Sequence, residues 1–205
     1  LKELFASSGA AVLYVTHDLT EGLMLGDRMI VMESGAIAQD DTPQKLFSAP
    51  CNQFVADFVG ANNLLTGTVT KVTKSQVTVY LESGIITCPL ADNHFSEGEN
   101  IIVAIRPEHL TLGSPPKTSK GITTPCRIEQ SGFLGSAVEY LIKVSSLQMT
   151  ARVPASASIF GTGETTTVHI PENYCIPMPL LSDQPKRVGS TIPMDPSTEA
   201  NPDQT

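Results

Sequence analysis

Between residues 64 and 180 apolar and polar side chains alternate, and turn-forming residues return every 8 to 12 positions. Val77, Val79 and Leu81 alternate, then Glu82-Ser83-Gly84 turns the chain into Ile85-Ile86-Thr87-Cys88. Val138, Tyr140, Ile142 and Val144 alternate, Ser145-Ser146 turns, and Leu147, Met149, Ala151 and Val153 alternate again. A period of two sends successive side chains to opposite faces of a strand, so sheet is the structure that buries them together. The turn spacing predicts an antiparallel sheet or a small barrel. Ser114-Pro115-Pro116-Lys117 reads as a loop within it, and the letters suggest no internal repeat.

The first 60 residues read differently. Lys2-Glu3-Leu4-Phe5 resembles the end of a helix closed by Ser8-Gly9. Leu1 is not a start methionine, so an N-terminal part is expected to be missing. The unbroken apolar run Ala11-Val12-Leu13-Tyr14-Val15 predicts a strand covered on both faces, as in a parallel sheet. Thr16-His17-Asp18 follows at once, then a helical stretch from Thr20 to Leu25. Asp18 can cap that helix, and Glu21 stands at capping-box spacing. Met29 to Met32 and Ala36 to Gln39 can pair as a hairpin across Glu33-Ser34-Gly35. Thr42-Pro43 starts a further helix, and Asn52 caps another that ends at Gly60. Residues 182–205 carry four prolines and few apolar side chains, and a disordered tail is expected there. The division is therefore 1–60, 61–181 and 182–205.

Composition removes several classes of function. The formal net charge of −8 gives no basic footprint for nucleic acid or an anionic membrane surface. No apolar run approaches the roughly 20 residues that cross a bilayer, and no signal peptide is visible. Cys51, Cys88, Cys126 and Cys175 stand far apart, without a CxxC pair or a Cys/His cluster, so no metal site is expected. They read as reduced, mostly buried thiols.

Tyr14-Val15-Thr16-His17-Asp18 resembles the histidine switch of ATP-binding-cassette (ABC) ATPases. The resemblance continues through Gly26-Asp27-Arg28-Met29-Ile30-Val31-Met32, the segment from Gly35 to Pro43, and Phe54-Val55-Ala56-Asp57-Phe58-Val59-Gly60. It is closest in type to importers of the maltose, spermidine/putrescine and ferric-iron kind. Asn62-Asn63-Leu64-Leu65 and Ile105-Arg106-Pro107-Glu108-His109-Leu110 are similar to the accessory β domain of those subunits, the transport-associated oligonucleotide/oligosaccharide-binding-like (TOBE) domain. The resemblance implies an α/β tail of a P-loop ABC ATPase domain, then an all-β OB-like barrel.

The family role implied for His17 is catalytic and ATP-binding: its imidazole reaches the γ-phosphate from a strand end, where ligands of open α/β sheets bind. The other reading is a structural histidine at a strand end. His94, His109 and His169 read as surface or satisfied histidines. Arg106 and Glu108 read as packing residues, paired with each other or with the ATPase part. The resemblance further implies ATP and Mg2+ in the complete parent chain, a homodimer of ATPase subunits, transmembrane permease subunits, a solute-binding protein acting indirectly, and a place on the cytoplasmic face of the membrane. Polyamine, ferric iron and phosphonate rank first as cargo.

Three residues depart from the family. Gly22 and Gly26 stand where Ala is usual and weaken a helix, and Asp41 stands where Gly is usual. The chain holds no GxxxxGK[ST] loop, no strand ending in Asp-Glu and no Ser-Gly-Gly signature. It is therefore not expected to hydrolyse ATP by itself. The competing reading is a truncated β-domain binding or regulatory module without ATPase activity.

Overall fold

The structure, a computed structural model, describes residues 9–90, 93–115, 118–157 and 159–180. The helix end expected at Lys2 to Phe5 and the tail expected at 182–205 lie outside the described residues.

The N-terminal part holds α1 (Leu19–Leu25), the hairpin of β1 (Met29–Glu33) with β2 (Ala36–Asp41), α2 (Pro43–Ser48) and α3 (Gln53–Phe58). Its signals are local and they held. The Asp18 carboxylate accepts the backbone N–H groups of Thr20 and Glu21, Thr42 caps α2 with Pro43 in its first turn, and Asn52 caps α3. Gly60, at φ +89, ends α3: its N–H donates to Asp57 and that of Ala61 to Ala56, the two bonds of a Schellman cap. Asp41 stays out of the left-handed region and accepts the Thr42 N–H instead, so glycine is not required there.

The expected strand at 11–15 is not formed. The segment is exposed, Leu13 by 87% and Val15 by 86%, and no strand pairs with it among the described residues. An apolar run becomes a central strand only where neighbours lie on both edges and both faces. The hairpin expected across Glu33-Ser34-Gly35 is formed, but the α/β tail of a P-loop ATPase is not itself seen.

The alternating segment forms two five-stranded antiparallel sheets over one shared core. The first contains β3 (Asn63–Val72), β4 (Gln76–Leu81), β5 (Gly84–Pro89) and β6 (Asn100–Ile105). After a 3-10 turn at Pro107–His109 the chain enters the second, with β7 (Thr111–Leu112), β8 (Gly121–Phe133), β9 (Ala137–Val144), β10 (Leu147–Pro154) and β11 (Thr165–Pro171). A second 3-10 turn, Glu172–Tyr174, returns it to the first sheet as β12 (Ile176–Pro179). The orders are β12-β6-β3-β4-β5 and β10-β9-β8-β11-β7.

These orders are one pattern repeated. Strands β3 to β6 correspond to β8 to β11, and each repeat sends its last strand to the edge of the other's sheet. Both first strands carry a register shift, at Val69/Lys71 and at Ile128/Gln130. Gly98 and Glu99 bridge to Val69 as Gly163 and Glu164 bridge to Ile128. Phe95, Val103 and Ile105 match Phe160, Val168 and Ile170 at one constant spacing. An internal repeat is thus present in the fold although the letters did not suggest it.

The sheets also close on each other. The Asn63 side-chain amide donates to the Thr150 carbonyl at 2.8 Å and accepts its N–H at 2.7 Å, fastening β3 to edge strand β10. On the other side β5 lies against β8. At Gly67 a Cβ would fall 2.6 Å from Leu81 and Val79 side-chain atoms, so glycine permits the close crossing of β3 over β4. Glu82, at one hairpin tip, accepts the Ser146 hydroxyl at 2.7 Å and the Ser146 N–H at 3.0 Å from the other tip.

Strand β6 explains how the helices attach. Its inward residues Ile101, Val103 and Ile105 enter the shared core, while Ile102 and Ala104 meet Ala56 and Ala61 outside. The unbroken run Ile101 to Ile105 is apolar because both faces are covered. The other side of α3 supplies Val55 and Val59 to a small cluster with Leu46 and Val31. Burying each such side chain contributes about 2 kcal/mol.

Between the two parts stands Arg106, 2% exposed. Its guanidinium donates to the Val59 carbonyl at the end of α3 and, at 2.5 Å, to the Phe47 carbonyl in α2. It also lies 3.4 Å above the centre of the Phe47 ring. The last carbonyls of a helix have no partner within it, and a cation there is favoured. Arg106 forms no ion pair with Glu108 among the described residues; of the two expected pairings, the contact with the helical part is the one made.

Two outcomes follow from this packing. Arg106→Gln should cost about 3 kcal/mol, from charge-assisted hydrogen bonds lost at buried carbonyls; amide exchange should rise in α2 and α3 while the β core stays protected. Hydrogen bonds from the Ser146 hydroxyl and then its N–H hold the Glu82 carboxyl below its ordinary range. A lowered carboxyl stabilises the fold above its unfolded-state pKa and loses that contribution as pH falls through the folded value. Wild type should therefore exceed Glu82→Gln in urea midpoint at neutral pH, with the gap closing in acid.

Candidate functional site

Glu21 organises the loop that carries His17. Its carboxylate accepts the Tyr14 hydroxyl at 2.8 Å and the Thr16 hydroxyl at 2.8 Å. The Thr16 hydroxyl in turn accepts the Asp18 N–H at 3.0 Å, and Asp18 caps α1. Glu21 was expected to complete a capping box by reaching back to Asp18. Thr16 takes that N–H instead, leaving Glu21 to hold the approach to the loop. His17 sits in a bend between these anchors, exposed, with no side-chain hydrogen bond among the described residues. The loop is thus fixed on both sides of a histidine whose ring has no hydrogen-bond partner among the described residues. An imidazole so placed can donate one N–H to an external oxygen.

The other histidines divide. His94 is exposed. His169 is buried, with Nε2 2.7 Å from the Ser119 hydroxyl and Nδ1 2.9 Å from the Thr123 hydroxyl, a satisfied core residue as expected. His109 stacks on Tyr174, ring centres 4.0 Å apart, and its buried Nδ1 has no hydrogen-bond partner among the described residues. None of the three lies with His17 in any contact of the described residues. Cys88, Cys126 and Cys175 are buried and Cys51 exposed, all as free thiols; burial pushes Cys126 up to about 11. The Glu21 contacts escaped sequence reasoning, although Tyr14, Thr16 and Glu21 are close enough in the chain to have suggested a local network.

With this geometry in view, the comparisons are specific. A family profile described as the TOBE domain matches residues 103–177. The spermidine/putrescine import ATP-binding protein PotA of Rubrobacter xylanophilus is 30% identical over 181 residues, covering 86% of this chain and 47% of that protein. The chain is a relative of ABC importer ATP-binding subunits. The PotA protein of Aster yellows witches'-broom phytoplasma is 37% identical over 150 residues, covering 73% of this chain and 33% of its own length. This importer-subunit relative therefore spans less than half the length of these curated proteins. Its likeness to a solved cytoplasmic molybdate-binding protein, ModG, with molybdate bound, has a TM-score of 0.50 at 13% identity, over 57% of this chain and 94% of that one. That likeness supports the β fold alone. Among the described residues no helix is long and apolar enough to cross a membrane.

The Glu21 network has a titration signature. The hydrogen bond to Glu21 raises the Tyr14 phenol above its ordinary value, because the carboxylate accepts the O–H and repels the phenolate. Glu21→Gln should lower the Tyr14 midpoint, read by carbon NMR of the labelled ring, and should disorder the Thr16–Asp18 backbone.

Proposed function

We propose that this chain is the C-terminal portion of the ATP-hydrolysing subunit of an ABC importer, and that His17 is its contact with the γ-phosphate. The observation that carries the reading is joint. A stretch of 181 residues shared with a spermidine/putrescine import ATP-binding protein covers 86% of the chain, and near the start of the chain the anchored loop leaves His17 exposed.

The residues fit a nucleotide in a limited way. His17 offers one donor, suited to a terminal phosphate oxygen whose charge grows as the bond to it breaks. Thr16 and Asp18 are engaged locally, so they position His17 rather than bind phosphate. Among the described residues no group of His, Cys, Asp and Glu gathers to hold a metal ion. The phosphate cradle and the Mg2+ ligands would be supplied by a preceding part of the subunit. When bound, MgATP supplies the free energy that drives transport; this chain's part is to orient His17 and to hold the helices to the β domain.

The exposed apolar side chains Val12, Leu13, Val15 and Met24 support docking of this face on the rest of an ATPase domain. The subunit would work as a homodimer on the cytoplasmic face of the membrane, coupled to permease subunits and fed indirectly by a solute-binding protein. The relatives' names favour a polyamine cargo over ferric iron or phosphonate.

The reading frame upstream of Leu1 tests this directly. A continuous frame encoding a phosphate loop, a signature segment and an acidic strand end supports it. In the protein expressed from that frame, His17→Ala should reduce ATP turnover about a hundredfold, on the scale of losing one transition-state donor, while nucleotide still binds. A stop codon or unrelated frame, or turnover unchanged in His17→Ala, counts against it. The first of those outcomes would favour the β-domain regulatory module.

A further inference from the structure

Where the end of α2 meets the two 3-10 turns and the end of β5, the structure leaves a cavity of about 500 Å³. That is within the usual range for small-molecule sites, which favour such junctions between structural units. Its apolar wall includes Leu90, Ile176 and Pro177, and one side carries the stacked rings of His109 and Tyr174. Two polar groups on the wall are incomplete. Arg106 is almost fully buried, yet its hydrogen bonds go to two neutral carbonyls, and no carboxylate lies within ion-pair distance among the described residues. A guanidinium carries five N–H donors, so donors remain uncommitted. The Nδ1 of His109 is buried without a hydrogen-bond partner among the described residues. Buried charges are normally paired, and an unpaired buried nitrogen is costly.

We propose that this cavity binds a small organic carboxylate carried on a flat apolar body. The carboxylate supplies a close counter-ion to Arg106, which Glu108 reaches only from beyond ion-pair distance, and a partner for His109, while the flat body lies between the apolar wall and the His109–Tyr174 stack. An inorganic oxyanion would satisfy the charge but leave the apolar wall uncovered. The same ligand would touch α2 and both turns, so it would tighten the junction that Arg106 holds. This inference stands apart from the ATPase reading, since every residue it uses is in the described chain.

The full 205-residue chain can be titrated by calorimetry with 2-naphthoate and with neutral 2-naphthamide. Two variants guard the assignment. Asn173→Trp blocks the cavity from an exposed lining position, and His109→Phe keeps a ring against Tyr174 but removes the nitrogen. Circular dichroism establishes that both fold. The expected result is saturable binding of naphthoate, at least tenfold tighter than naphthamide, and at least tenfold weaker in each variant. Bound naphthoate should also slow amide exchange at the end of α2. Equal affinity for the two probes, wild-type affinity in Asn173→Trp, or no saturable binding at millimolar naphthoate would each overturn the proposal.

Discussion

A single buried cation joins the two halves of this molecule. Arg106 leaves the β core at the end of β6 and places its guanidinium against the ends of α2 and α3, where unpaired carbonyls carry partial negative charge. Those helices bury only a small cluster of their own, built on Val31, Leu46, Val55 and Val59. At about 2 kcal/mol per buried side chain, such a cluster does not offset the entropy of ordering some fifty residues, which runs to at least 1 kcal/mol each. The N-terminal part is therefore ordered largely because α3 lies on the outer face of β6, and because Arg106 fixes how it lies.

The two structural repeats of the β domain differ at this junction. At corresponding positions in the two repeats stand Arg106 and Pro171, His109 and Tyr174, Leu110 and Cys175. Positions that face the shared core stay apolar in both, as Val103 and Val168 or Ile105 and Ile170 do. At the ends of the last long strands the repeats differ more: Arg106 is buried against the helices, whereas Leu110 and Cys175 both enter the shared core. One copy has become the anchor for helices. The other contributes a ring that stacks on the first copy's histidine, so the two turns meet face to face.

What could be read from the letters follows from which interactions are local. The caps at Asp18, Thr42 and Asn52, the end at Gly60, and the hairpins at Glu82-Ser83 and Ser145-Ser146 each depend on a few neighbouring residues, and each formed where expected. The Ala11–Val15 strand depends on neighbours on both edges, and among the described residues this apolar run has none and forms no strand. The repeat was hidden because burial selects apolar character, not identity: Ile86 pairs in role with Met149, and Val69 with Ile128. Of the candidate site, the cap at Asp18 beside His17 was legible, whereas the strand end expected to carry His17 is not formed among the described residues. The carboxylate that braces its loop was not legible, since the capping-box spacing of Glu21 pointed to a different bond.

The position of His17 is consequently set by a series of unequal links. Asp18 and Glu21 fix the loop to α1, and the loop is rigid on that scale. Helix α1 has no fully buried residue, and it joins the rest through Leu19 against the small cluster around Val55. That cluster shares α3 with the face that meets β6, and α3 ends at Arg106. The link between α1 and the cluster is a thin one, because Leu19 is only partly buried there and no residue of α1 is fully buried. The β sheets are closed on each other independently of the helices, by Asn63 and by the Glu82–Ser146 contact.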